Sequence, residues 1–273
     1  MSSVPTAPRL ALAETHQHPE RILSLRGITK RFGAVRALSG VDLDVHAGEV
    51  VAIVGDNGAG KSTLVKILAG VHPQDDGEIS VYGSPTTIAT PTDSLELGIA
   101  TVFQDLALCD SLDVVSNLWL GRELTRGGAL DEVAMEERSW TLLRELRARL
   151  TSVRVPVASL SGGQRQTVAI ARSLIGEPSV VILDEPTAAL GVSQTAEVLN
   201  LIERLRERGL GVILVSHNIG DVLAVADRVV ALRLGRNNGD FLASEISSDT
   251  IIAAITGASD HSGGRSRVAD TER

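Results

Sequence analysis

Four short apolar runs punctuate the chain: Val50-Val51-Ala52-Ile53-Val54, Ile99-Ala100-Thr101-Val102-Phe103, Val180-Val181-Ile182-Leu183 and Val212-Ile213-Leu214-Val215. None alternates with polar residues, so each reads as a strand covered on both faces. Such strands need helices above and below them, and helical patterns lie between the runs. The fold class expected is therefore α/β, built around a mostly parallel sheet. Ser62 to Leu68 reads as the helix after the first run. The stretch from Ser116 to Leu150 is long, charged and helical, with Leu142, Leu143, Leu146 and Leu150 recurring on one face, and reads as a helical insert. Val168, Ala171 and Ile175 mark another helical face, closed by Gly176 and Pro178.

The ends lack any such period. Met1 to about Glu20 carries Pro5, Pro8 and Pro19 among polar residues, and Ser259 to Arg273 is polar with a Gly-Gly pair. Residues 1–20 and 259–273 are thus expected to be disordered tails around one unit over 21–258. His16 and His18 make no metal site, because two histidines lack the further ligands one requires.

Composition narrows the function. A chain of 273 residues, 43% hydrophobic, can bury one sizeable core. No run approaches the ~18 apolar residues of a membrane span, and the N-terminus does not read as a secretory signal, so a cytoplasmic protein is expected. The formal net charge of -8 argues against nucleic acid as a partner and against attachment to anionic lipid by charge alone. With aromatics at 2%, stacking platforms for single strands cannot be built in number. The single cysteine, Cys109, excludes an internal disulfide framework and reads as a small buried filler.

Gly55-Asp56-Asn57-Gly58-Ala59-Gly60-Lys61-Ser62, followed by Thr63, fits G-x-x-x-x-G-K-[ST] between a strand and a helix, the context a phosphate loop needs. Its glycines let backbone N–H groups turn toward phosphate oxygens at a helix N-terminus. Lys61 would reach the terminal phosphates and Ser62 would offer a hydroxyl to Mg²⁺. A plain tight turn would account for the glycines but not for Lys61, a cation placed against the helix dipole.

The third apolar run ends in Asp184-Glu185-Pro186-Thr187, which sets two carboxylates at the sheet's carboxyl edge, where ligands bind in open α/β folds. Asp184 would orient the Mg²⁺ shell and Glu185 would polarise the water attacking the γ-phosphate. The bland alternative makes Asp184 a helix cap and Glu185 a solvated charge. Two other runs end in Ser216-His217 and in Gln104. His217 could hydrogen-bond the γ-phosphate, and Gln104 could touch Mg²⁺ or the water. Further along, Ser161-Gly162-Gly163-Gln164 has the form of a capping box. Two glycines in a first turn weaken a helix by about 1 kcal/mol each relative to alanine, so an ordinary cap does not require them. They do let a phosphate approach bare N–H groups.

The phosphate loop, the run Leu160 to Gln164 and the acidic strand end occur in the order found in ATP-binding cassettes, and from Leu25 to about Thr256 the chain resembles that family. The resemblance implies a P-loop nucleotide hydrolase sheet with a helical signature subdomain inserted at about 105–176 and an antiparallel β subdomain toward the N-terminus. It implies ATP and Mg²⁺ as cofactors and ATP hydrolysis as the activity. Ser161, Gly162, Gly163 and Gln164 would close on ATP held by a second copy, in a head-to-tail homodimer. Phe32 stands where an aromatic stacks on adenine, or is an ordinary core side chain. The segment Asp105 to Arg122 matches the surface that receives a permease's coupling helix, and Trp119 packs there or only inside the insert. A peripheral place on the cytoplasmic face of the membrane follows.

One departure is visible. Gly191 ends Ala188-Ala189-Leu190-Gly191 where most cassettes carry an acidic residue, which puts cross-talk between the two ATP sites in doubt. Together with the segments 102–108 and 216–218, Gly191 resembles cassettes of monosaccharide importers of the ribose, xylose and fructose type. There a periplasmic or extracellular sugar-binding protein, with the permease, selects the solute. Many of that branch fuse two cassettes, so this chain is expected to pair with a copy of itself. A different small solute stays open, as does a non-transport cassette, although neither a second cassette nor a long coiled coil is present, and no N-K-x-D guanine motif occurs.

Overall fold

The computed structural model describes residues 20–258, so most of the two proposed tails, with His16 and His18, lie outside the described residues. Two long antiparallel strands open it, β1 (Arg21–Phe32) and β2 (Val35–His46). β3 (Val50–Val54) then runs into α1 (Lys61–Leu68). β4 (Asp76–Val81) and β5 (Ser84–Thr86) follow, and α2 (Pro91–Glu96) leads to β6 (Ile99–Val102). Next come α3 (Val114–Trp119), a small hairpin of β7 (Thr125–Arg126) and β8 (Ala129–Leu130), α4 (Glu132–Glu145) and α5 (Gly162–Leu174). β9 (Val180–Asp184), α6 (Val192–Glu207), β10 (Gly211–Val215), α7 (Ile219–Val225), β11 (Arg228–Arg233), β12 (Arg236–Leu242) and α8 (Ser248–Thr256) complete the order.

The main sheet has the order β12-β11-β3-β10-β9-β6 and is parallel except for the β11–β12 hairpin at its edge. A second, antiparallel sheet has the order β2-β1-β4-β5. The four apolar runs are strands of the main sheet, and the reason they lack polar alternation is plain. Ile53, Ile182, Ile213 and Val215 share a core with Leu23, Leu25 and Val41 of the antiparallel sheet and with Leu64 and Ile67 of α1. Val181, Leu183, Val212 and Leu214 point the other way, into a core with Val168 of α5 and Val198 and Ile202 of α6. Each such fully buried aliphatic contributes ~1.5–3 kcal/mol relative to exposure. Arg228 fastens the two sheets: its guanidinium bonds Glu49 at 2.8 Å, Asp240 at 2.8 Å and the carbonyl of Asp44 on β2.

The insert from Ser116 to Leu150 holds the end of α3 and all of α4, with the β7–β8 hairpin between them. Gly121 has a φ of 78°, and Gly127 and Gly128 have φ of 62° and 86°, a left-handed turn that a helix cannot pass. The helical pattern belongs to α4 alone, where Leu143 is buried, with Leu146 just beyond its end. Trp119 packs inside this insert: its indole N–H donates to the Met135 carbonyl at 3.0 Å and the Ser139 hydroxyl at 2.9 Å. Cys109 is not the buried filler expected. It is only partly covered, and its sulfur lies 3.4 Å from the Ser111 hydroxyl, a contact that draws the thiol's pKa down.

Candidate functional site

Register puts the candidate side chains at one height. Val215 lies beside Ile53 on one flank and Asp184 on the other, and Leu183 pairs with Val102. The continuations of β3, β10, β9 and β6 therefore emerge together at the carboxyl edge, carrying Gly55, His217, Glu185 and Gln104.

The loop after β3 is shaped by close approach. A side chain at Gly55 would strike the Leu232 carbonyl, and one at Gly60, whose φ is 109°, would meet the Ala37 carbonyl at 2.9 Å. The first hydrogen bond of α1 is Leu64 N–H to the Gly60 carbonyl, so the amides of Gly60, Lys61, Ser62 and Thr63 have no partner among the described residues. They form an anion-binding concavity at a helix N-terminus. Lys61 Nζ is held at its centre by the carbonyls of Gly55, 2.6 Å, and Asp56, 3.2 Å. Asp56, Asn57, Gly58 and Ser62 are exposed along the rim, and Ala59 is buried beneath it.

Asp184 ends β9 and caps no helix, since the next one begins at Val192. Glu185 is not a solvated charge either. Its carboxylate is 16% exposed and lies 2.7 Å from His217 Nδ1, while the histidine itself is 73% exposed. Glu185 also adopts a φ of 52°, a left-handed conformation that costs on the order of 1 kcal/mol or more in a non-glycine residue and persists only where surrounding bonds enforce it. A carboxylate and an imidazole in contact, beside a nest of free amides, form a pair able to accept and relay a proton from water.

Burial raises the pKa of Asp184, the negative charge of Glu185 adds to the rise, and Lys61 and Lys66 oppose it. The sign follows. A carboxyl with a raised folded-state pKa stabilises the fold below its unfolded value, ~3.9, and loses that contribution as pH climbs through the raised one. At neutral pH its charge is a standing cost, of the kind a bound cation would relieve. Asp184→Asn is therefore expected to raise the urea midpoint of the nucleotide-free chain at pH 7, with the gain over wild type shrinking toward pH 4. A midpoint equal to or below wild type at pH 7 would refute this.

Gln104 leaves β6 with an exposed amide that bonds none of the described residues, so the geometry brings it to the edge but into no contact. Phe32, 44% exposed, is no core side chain: it meets His72 edge-on at 5.3 Å, and Lys30, paired with Asp75, sits 5.7 Å from its ring.

Ser161 and Gln164 make a reciprocal capping box at α5, with bonds of 3.3 and 3.0 Å. The two glycines between them have a packing role that periodicity could not reveal. A Cβ at Gly162 would lie 2.8 Å from Leu190, and one at Gly163 would lie 3.1 Å from Gln194. The signature turn thus rests on the segment around Gly191, whose own Cβ position is open. Arg172, farther along α5, also escaped the sequence reading; it donates to the carbonyls of Leu106 and Ala107, both at 2.8 Å, tying the loop after Gln104 to this helix. Only its place two turns beyond Gln164 hinted at it.

The family described as ABC transporter matches residues 38–188. Among curated relatives, the fructose import ATP-binding protein FrcA of Rhizobium meliloti is 42% identical over 88% of this chain and 95% of its own length. The xylose/arabinose import ATP-binding protein XylG of Sulfolobus acidocaldarius is 44% identical over 79% and 86%. The ribose import ATP-binding protein RbsA of Yersinia pestis is 39% identical, and there the chain spans only 46% of the relative. Among solved structures, the ADP conformation of MJ1267, an ATP-binding cassette of an ABC transporter, superposes with a TM-score of 0.75 at 26% identity, covering 86% of this chain and 95% of that one. The dimeric post-hydrolysis state of the cassette MJ0796, bound to ADP and Pi, gives 0.69 at 27%, covering 81% and 99%.

Proposed function

Because this chain belongs to the ABC transporter family, we propose that it is the ATP-hydrolysing subunit of a membrane importer for a monosaccharide. The single observation that carries the hydrolytic part is the Glu185–His217 contact of 2.7 Å at the carboxyl edge, one strand away from the Lys61 loop. In this reading the free amides of residues 60–63 and Lys61 hold the β- and γ-phosphates, and Phe32 offers its exposed face to the adenine. Asp184, Ser62 and Gln104 supply oxygens suited to Mg²⁺, a hard cation, whose chemistry here would be to neutralise charge on the transferring phosphoryl group. Glu185 takes a proton from the attacking water, and His217 keeps the carboxylate oriented while its exposed edge faces the phosphate.

Ser161, Gly163 and Gln164 serve the nucleotide of a second copy, so that ATP joins two chains head to tail and hydrolysis parts them. The dimeric cassette among the similar structures supports this arrangement. A groove lined by Val102, Phe103, Leu106, Leu118, Leu120 and Arg172 lies over the signature helix and is the docking place for a permease segment. No described helix is long and apolar enough to cross a membrane. Attachment to the membrane's cytoplasmic face then comes through the permease, with a solute-binding protein outside delivering the sugar.

The solute class is supported by the relatives named for fructose, xylose or arabinose, and ribose import. Tagged wild-type protein from solubilised membranes is expected to copurify with a multi-span permease, and deleting its gene to abolish uptake of at least one radiolabelled pentose or hexose. Copurification with soluble partners or ribosomes alone, and unchanged uptake across the panel, would overturn the importer reading.

A further inference from the structure

The turn that carries Glu185 is tied to the segment that carries His217 by a second side-chain contact. Thr187 Oγ1 donates to Asp221 Oδ2 at 2.7 Å. Asp221 is 9% exposed and lies in the first turn of α7, the helix that follows His217 directly. Besides the backbone bond from Glu185 N–H to the Val215 carbonyl at 2.9 Å, the Thr187–Asp221 bond and the Glu185–His217 contact are two side-chain rungs between the same two segments, two residues apart on one side and four on the other.

Beyond the Glu185 amide, the turn needs a further restraint. Both Glu185 and Ala189 have left-handed backbones, φ 52° and 59°, although neither is glycine. Inside residues 184–190 the backbone bonds are few: Ala188 N–H to the Glu185 carbonyl at 3.1 Å and Leu190 N–H to that of Thr187 at 3.3 Å. Pro186, Ala188, Ala189 and Leu190 have no side-chain polar group, which leaves Thr187 as the residue besides Glu185 whose side chain anchors the turn. The far end of the rung is firm. Asn218 caps α7 through the amides of Gly220 and Asp221, at 3.0 and 3.3 Å, and Ser216 Oγ accepts from Asn218 N–H at 3.0 Å.

The geometry points to Thr187 and Asp221 as a positioning pair that sets the reach between Glu185 and His217, and so the rate of the hydrolytic step and not the affinity for nucleotide. This rests on the reading of Glu185 as the group that activates water. The rung joins these two side chains to each other and to no residue of the phosphate loop, so its loss is expected to leave the phosphate cradle intact. A displacement of the order of 1 Å in a catalytic group costs up to ~10²-fold in rate.

The test uses the full chain. Thr187→Val removes the hydroxyl at nearly constant volume, Thr187→Ser keeps it, and Glu185→Gln is run beside them. MgATP turnover is measured with TNP-ATP affinity and amide hydrogen exchange. Thr187→Val is expected to lower kcat about ten- to a hundredfold with KM and TNP-ATP affinity within about twofold, and Thr187→Ser to restore most of the rate. Amides of residues 185–190 should exchange at least about tenfold faster in the valine variant while those of β3 and β10 are unchanged, a readout that requires no turnover. Wild-type kcat and exchange in Thr187→Val, with turnover abolished in Glu185→Gln, would overturn the inference alone. Wild-type turnover in Glu185→Gln would instead remove the reading beneath it. Should Thr187→Val fold poorly, Asp221→Asn, which weakens the rung without emptying it, is expected to show an intermediate loss of kcat, and an unchanged kcat would count against the pair.

Discussion

Glu185→Gln is expected to reduce ATP turnover by about 10²- to 10⁴-fold, the range a positioned general base supplies, while ATP stays bound. Glutamine keeps the size of the side chain and can still bond the imidazole 2.7 Å away, so the left-handed turn has no new reason to move. What it loses is the capacity to take a proton. Phosphate release measured on the full chain, with the retained nucleotide identified after gel filtration, separates this from a loss of binding. Turnover above about a tenth of wild type would mean that another group activates the water.

The second large effect concerns assembly. Ser161→Asp should leave the monomer as stable as wild type, because aspartate caps as well as serine and a negative charge at a helix N-terminus is favourable by ~0.3–1 kcal/mol. The same charge would repel the γ-phosphate that the α5 N-terminus is proposed to receive from a second copy. In a Glu185→Gln background, ATP should convert the chain to a dimer, and Ser161→Asp should abolish that conversion. Light scattering after size exclusion reads the mass directly, and urea melts confirm the monomer. A dimer of undiminished affinity would remove the signature turn from the interface.

Much of this site is legible along the sequence because its elements are local. A strand buried on both faces announces itself by unbroken apolar residues, and the phosphate loop, Asp184-Glu185 and Ser216-His217 each stand directly at the end of one. What stayed hidden depends on contacts between distant segments. Gly162 and Gly163 look like an opening for phosphate, yet Leu190 and Gln194 rest against them, and nothing near residue 162 foretells that neighbour. Thr187 and Asp221 are 34 residues apart, and each has an innocuous local reading, as a turn residue and as an acid in a helix's first turn. The break inside the helical insert at 116–150 stays hidden for the opposite reason. Its leucine spacing suits a helix, while the turn is made by Gly127 and Gly128, whose left-handed backbones leave no periodic trace.

The register of β10 has one further consequence. His217 stands two residues beyond Val215, which is pinned between Ile53 and Asp184. Removing one residue from β10 would draw the imidazole back by about 3.3 Å and turn Ile213 and Leu214 to the wrong cores at once. Adding one would overshoot by as much. The amino end of β10 is pinned as well, by Gly211 N–H to the Ser179 carbonyl at 2.9 Å, so a length change there has no slack to absorb it. The strands at this edge therefore keep count: the chemistry of the site is indexed by position along β10 as much as by residue type.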